Sequence, residues 1–343
     1  MSNPVILSEA KDLRGADPSP PMRLRMTIYL FEIVAAANFV VICWLLWPIR
    51  APLMMLPRVL WIFGSGFLTN AAIGIAVRAV VAWRRGQLRS YARVLRSAEW
   101  ITDTLRLAVV SGLFIAAYGW IKLSVPLLHP RLFDQELWNL DRKLLAGYSP
   151  NEFVLTLFSA PAVLRAVDWA YANIFYVSLL IASAFFASSP SRRLRVAFMN
   201  SNVLLWLAGA WLYVAVPSLG PAFRFPEVWV PLAAMLDTTQ TLQRVLMNNY
   251  QNVLAFKRGV YPPVHFLLGI AAFPSLHVAF QMLAFLWMRK MWRGGEVIFG
   301  VFVVAILIGS MVTGWHYLID GIAGIALAWL CYCAAIRLAA KAF

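Results

Sequence analysis

Between two long apolar runs, roughly 296–314 and 317–339, the chain reads Gly314-Trp315-His316-Tyr317-Leu318-Ile319-Asp320. A helix needs about 20 apolar residues to cross a bilayer, and each run supplies them. The interruption leaves room only for a tight connection between two spans. It carries a histidine and, four residues on, a carboxylate. Polar groups at a membrane edge are costly, which makes them functional suspects. On a helix the i, i+4 spacing puts His316 and Asp320 on one face. A second stretch, Phe273-Pro274-Ser275-Leu276-His277, sets another histidine at the edge of another apolar run.

Working outward, hydrophobic residues make up 62% of the 343 and charged residues 13%, about half the charged share of a soluble domain. The fold class expected is all-α: a polytopic membrane helical bundle of about eight transmembrane helices. The spans predicted are roughly 27–47, 59–83, 101–128, 162–187, 194–216, 268–288, 296–314 and 317–339. Residues 1–26 read as a disordered polar tail, with Pro18, Pro20 and Pro21 and no secretory signal pattern. The 129–161 connection mixes Asp134, Glu136, Asp141, Arg142, Lys143 and Glu152. Its Gly147-Tyr148-Ser149-Pro150 predicts a turn between two short surface helices.

The net charge of +15 does not point to nucleic acid. Lys and Arg sit in short clusters beside the apolar runs, the pattern that orients membrane proteins. Membrane lipids are the expected partners. Cys43, Cys331 and Cys333 lie in apolar segments and read as inert thiols. The clusters are densest on the side of the N-terminus, at Arg84, Arg85, Arg89, Arg93 and Arg96, at Arg192, Arg193 and Arg195, and at Arg289, Lys290 and Arg293. The positive-inside rule then puts both termini in the cytoplasm, and a bacterial inner membrane is the expected setting. His277 and His316 fall together on the opposite, periplasmic face.

The chemistry these residues suit is nucleophilic. A carboxylate beside an imidazole fixes its tautomer, so Asp320 can support His316 as a nucleophile. His277 can act as general acid. Ser275 stands at a predicted helix start, where free backbone N–H groups favour phosphate. Arg224, Lys257 and Arg258 lie just upstream and can neutralise phosphate oxygens.

These stretches resemble the type-2 phosphatidic acid phosphatase superfamily, whose signatures are Lys-x6-Arg-Pro, Pro-Ser-Gly-His and Ser-Arg-x5-His-x3-Asp. Phe-Pro-Ser-Leu-His and His-x3-Asp-Gly are more similar to the branch that includes inositol phosphorylceramide synthase. So are Leu140-Asp141-Arg142-Lys143-Leu144-Leu145-Ala146-Gly147 with Pro150, and Val216-Pro217-Ser218-Leu219-Gly220-Pro221. The resemblance covers roughly 101–339, as a catalytic domain with a six-helix phosphatase-like core, and leaves 27–100 as two extra spans. It implies that His316 attacks phosphorus and carries a phospho-histidine, that Asp320 supports it, that His277 protonates the leaving group, and that neither metal nor cofactor is needed. Two departures stand out. No Lys-x6-Arg-Pro occurs, and Ser310 occupies the place of the third signature's Arg. Arg224, Lys257 and Arg258 are the replacements expected from position.

Other polar residues have plainer readings. His129 and His265 read as structural, Arg165 and Asp168 as either an ion pair or further phosphate ligands, and Arg78, Arg106 and Lys122 as cations snorkelling to headgroups. Glu32 and Asp103 read as peripheral. Gly321, Gly324 and Ala328 read as a close-packing face. Trp315 and Tyr317 are candidates to touch a lipid headgroup. The function expected is a lipid phosphotransferase or phosphatase, with transfer of a phospho-headgroup to a lipid hydroxyl ahead of a polyprenyl-diphosphate or phosphatidic acid phosphatase. A non-catalytic transporter or scaffold is the rival of another class.

Overall fold

The computed structural model describes residues 28–342; the tail expected over 1–26 lies outside them. The described chain is an all-α membrane helical bundle, with fourteen helices and no strand among the described residues. Each predicted span has a helix: α1 (Leu30–Leu45), α2 (Ala51–Arg84), α4 (Ala98–Leu128), α7 (Pro161–Ala187), α8 (Arg192–Ala215), α12 (Leu276–Met291), α13 (Arg293–Val312) and α14 (Leu318–Ala342). Six of them, α2, α4, α7, α8, α13 and α14, are long and apolar enough to cross a membrane. At 16 residues each, α1 and α12 are shorter.

Between the spans lie shorter pieces: α3 (Leu88–Leu95), the pair α5 (Asp134–Leu144) and α6 (Pro150–Leu157), then α9 (Pro221–Arg224), α10 (Pro226–Trp229) and α11 (Asp237–Ala255). The helices α5 and α6 are the two short ones predicted around Gly147. The stretch between the fifth and sixth predicted spans holds α9 to α11.

Two span boundaries moved. The second span starts at Ala51, because Pro52 sits in the first turn, where a missing N–H costs nothing. The sixth was predicted from 268, but its helix starts at Leu276. Pro274 cannot continue a helix ladder backward, and Ser275 caps the start by accepting from the Val278 N–H at 3.4 Å. Residues 268–271 are irregular chain that lines a cavity, the setting in which such backbone is tolerated at membrane depth.

The main core joins buried faces of α1, α4, α8, α12 and α14. Charges read as peripheral tie helices together instead. Arg106 on α4 pairs with Glu32 on α1 at 2.5 Å, and Arg192 on α8 pairs with Asp103 on α4 at 2.8 Å. In contrast α4 and α7 hardly touch each other. On the side away from the histidines α2 packs against both, and on the near side α11 does. Helix α2 can press against α7 because residue 74 is glycine: a Cβ there would run into the Ala184 carbonyl.

Candidate active site

The connection between α13 and α14 is pinned from four directions. Gly314 turns the chain with φ +73, and a Cβ there would lie 2.6 Å from the Ala222 Cβ and 2.7 Å from Trp229. The Ala222 N–H donates to the Gly314 carbonyl at 2.9 Å. Trp229 Nε1 donates to the Val312 carbonyl at 2.9 Å, and Gln243 Nε2 to that of Thr313 at 3.2 Å. Asn151 Nδ2 bridges the carbonyls of Met311 and His316 at 3.1 and 3.0 Å.

Helix α5 fastens the other side. The Asp141 carboxylate accepts the N–H groups of Leu318 and Ile319 at 2.6 and 2.8 Å, capping α14. Two turns earlier on the same face, Asp134 accepts from the Leu219 and Gly220 amides and from the Tyr317 hydroxyl. Tyr317, read as a headgroup contact, is therefore fully buried behind the loop, while Trp315 lines the cavity.

Within this frame His316 Nδ1 lies 3.3 Å from Asp320 Oδ2, which also accepts the Tyr317 N–H at 3.0 Å. With Nδ1–H donated to the carboxylate, Nε2 keeps its lone pair. Burial, and next the charge of Lys122, push His316 down to about 3; the Ala272 carbonyl opposes this in part. The ring is neutral, the form a nucleophile needs. Asp320 Oδ1 is buried with no hydrogen-bond partner among the described residues, a cost typical of functional positions.

His277, on the first turn of α12, sits with its ring centroid 6.0 Å from that of His316 and 4.3 Å from that of Phe175. Ser275 is fully buried, and its N–H donates to the Asp320 carbonyl at 2.9 Å, tying the two motifs directly. Its hydroxyl serves as the α12 cap.

Both histidines open onto a cavity of about 630 Å³. It runs between α2, α4, α7, α8 and α12 as far as Arg195, in the first turn of α8. Its wall is mostly apolar, with Phe63 and Phe67 from α2, Phe114 from α4 and Phe175 from α7 among the lining residues. Ile62, Tyr176 and Leu242 line it as well and are exposed, so the cavity reaches the lateral surface where α4 and α7 part.

The proposed phosphate cations are distributed differently. Arg224, Lys257 and Arg258 are exposed and do not line this cavity. Lys257 and Arg258 follow the far end of α11. Asp168 caps α11, accepting from Thr238 and Thr239. Lys122, read as a snorkelling side chain, lines the same cavity as both histidines. Sequence reasoning also gave no role to Asp134, Asp141 or Asn151. The seven-residue spacing of the two acids, which puts both on one face of α5, was the available signal. Among the described residues no group of three or more His, Cys, Asp or Glu could hold a metal ion.

Two imidazoles with ring centroids 6.0 Å apart, one backed by a carboxylate, thus stand at the head of an apolar cavity in a membrane helical bundle. A family model described as the PAP2 superfamily matches residues 135–334, more than half of the chain, and the protein belongs to that superfamily. Its members are phosphatases or phosphotransferases. No curated protein and no solved structure matches the chain. Helices α1 to α4 precede the matched region.

Proposed function

We propose that the protein is a phosphotransferase acting on a phosphorylated lipid, with His316 as nucleophile, Asp320 as its support and His277 as acid and base. The observation that carries this reading is the placement of His277 and His316 at the head of the lateral apolar cavity. A lipid chain lying in that cavity sets its phosphate between the two rings.

In the first half-reaction Nε2 of His316 forms a bond to phosphorus as the P–O bond to the leaving group breaks. His277, as imidazolium, gives its proton to the departing oxygen. The phospho-histidine then meets an acceptor hydroxyl. Its proton passes to His277, its oxygen bonds to phosphorus, and the P–N bond breaks, restoring both histidines. The inositol phosphorylceramide synthase-like motifs favour a lipid alcohol as acceptor over water. A phosphatase for phosphatidic acid or a polyprenyl diphosphate is the second reading, favoured by the fact that water can resolve the same intermediate.

The charge asymmetry of the loops supports a periplasmic site with both termini cytoplasmic. Product analysis with a purified preparation, a phospholipid donor and a hydroxylated lipid acceptor tests the proposal. With a phosphodiester donor a new phosphodiester lipid is the expected product; release of the headgroup phosphate to water instead, or of inorganic phosphate when phosphatidic acid is the donor, would select hydrolysis.

A further inference from the structure

The cavity beneath the histidines ends blind. On α4 its wall runs from Lys122 through Tyr118, Phe114 and Ser111 to Leu107, a depth of about 22 Å at ~1.5 Å per residue. Spread over that depth, 630 Å³ makes a passage about 6 Å across, room for one hydrocarbon chain but not for two, since carbons in contact keep about 4 Å apart.

At the far end Phe186 of α7 and Phe198 of α8 stack with ring centroids 3.7 Å apart, and the wall turns polar. Ser111 Oγ and Asn202 Nδ2 donate to carbonyls of their own helices at 2.8 and 3.0 Å. Arg195 Nε is buried with no hydrogen-bond partner among the described residues. A methyl terminus pressed against that nitrogen would deny it water, so an alkyl chain stops short of it.

The cover over this end is α2, which lies outside the residues matched to the superfamily. It bridges the gap between α4 and α7. Leu60 packs so closely on α4 that a Cβ on Gly112 would sit 2.7 Å from its Cα, and Gly74 meets the Ala184 carbonyl on α7. Between those contacts Phe63, Gly66, Phe67 and Asn70 line the cavity. A Cβ added at Gly66 would meet nothing within 4 Å, so the space in front of it is unfilled.

We infer that α2 turns this groove into a closed pocket for a single chain, and that Gly66 and Ser111 set the length of chain it takes. This rests on the proposed phosphoryl-transfer reading and names the chain class of its lipid. An extended chain advances about 1.25 Å per carbon, from single bonds of about 1.5 Å at tetrahedral angles. The pocket therefore holds an acyl chain of about sixteen carbons. A second chain leaves by the lateral opening at Ile62, Tyr176 and Leu242. A polyprenyl chain, far longer and methyl-branched, does not fit inside.

The test uses the full chain in lipid nanodiscs, as wild type, G66F and S111L. The binding probe is a phospholipid with a photoreactive diazirine at the end of one chain of about sixteen carbons, and mass spectrometry maps the labelled residues. The wild type should be labelled at Phe186, Phe198 and Met199. Both variants should melt like the wild type and lose that label. Across donors of graded chain length, wild-type kcat/KM should peak near sixteen carbons and fall about 10-fold or more for chains longer by about eight. G66F should move the peak down by about four carbons, the reach of one phenyl ring, and S111L should move it the same way by less. Wild-type label confined to the outer helix faces or the lateral opening overturns the pocket. So does an unchanged peak in the variants, S111L deciding alone if G66F does not fold. Faster turnover of a polyprenyl phosphate than of any acyl lipid overturns the chain class. If no lipid is turned over while deep labelling still depends on Gly66 and Ser111, the reaction class fails and the pocket stands.

Discussion

The ring centroids of His277 and His316 lie 6.0 Å apart although one residue stands in the first turn of α12 and the other in the connection before α14. A direct bond from the Ser275 N–H to the Asp320 carbonyl holds the two helix starts together. The spacing suits one tetrahedral phosphoryl group gripped from both sides.

That division of labour makes His277 matter in proportion to the leaving group. With an alkoxide leaving group, H277Q should lower kcat by about 10²–10⁴-fold. With a p-nitrophenyl ester, whose oxygen departs without a proton, the loss should shrink to a few-fold. Equal losses on both substrates would argue against an acid role.

Asp320 should act through His316. D320N preserves shape but removes the negative charge behind Nδ1–H and supplies an amide N–H that can donate to Nδ1, so the wrong tautomer becomes available. Turnover should drop at least about 100-fold with little change in KM. A variant with normal kcat would detach the carboxylate from catalysis.

The pH profile separates two buried groups. Burial chiefly, with the charge of Asp320 adding to it and the Leu318 and Ile319 amides opposing, pushes Asp141 up to about 6 from the ordinary 3.8. It is ionised above that value and caps α14 there; as pH falls through about 6 it takes up a proton and the cap weakens. His316, at about 3, stays neutral across the same window. Wild-type kcat should therefore fall below a midpoint near 6, and D141N should be slow with a flat acid side. A wild-type rate constant down to about pH 5 would contradict this assignment.

Much of this was legible in the sequence, because membrane helices announce themselves by length and apolarity. The two histidines could be paired because an even number of helices between them returns the chain to one face. What escaped was held by tertiary contact alone. Asp141 and Asp134 looked like surface charge on a mixed connection, yet α5 lies under the loop and spends both on amides. Lys122 looked like a snorkelling cation because sequence shows its distance from the helix end, not which side of α4 opens inward. Arg224, Lys257 and Arg258 were chosen by proximity in the chain, and the helix α11 separates the last two from the cavity.

Loop rigidity is a further point of test. G314A forces a side chain into φ +73 and against Ala222 and Trp229, so it should cost about 1–3 kcal/mol. N151A unpairs the Met311 and His316 carbonyls at a similar cost. Thermal unfolding should show both. Unchanged melting in either variant would mean the loop is not held as described.

The most direct measurement is to quench a reaction with phosphorus-labelled lipid substrate and map the label on the protein. The account predicts an acid-labile, alkali-stable label on His316, absent in H316A and accumulating when the acceptor is withheld. Label on another residue, or turnover by H316A at the wild-type rate, would contradict it.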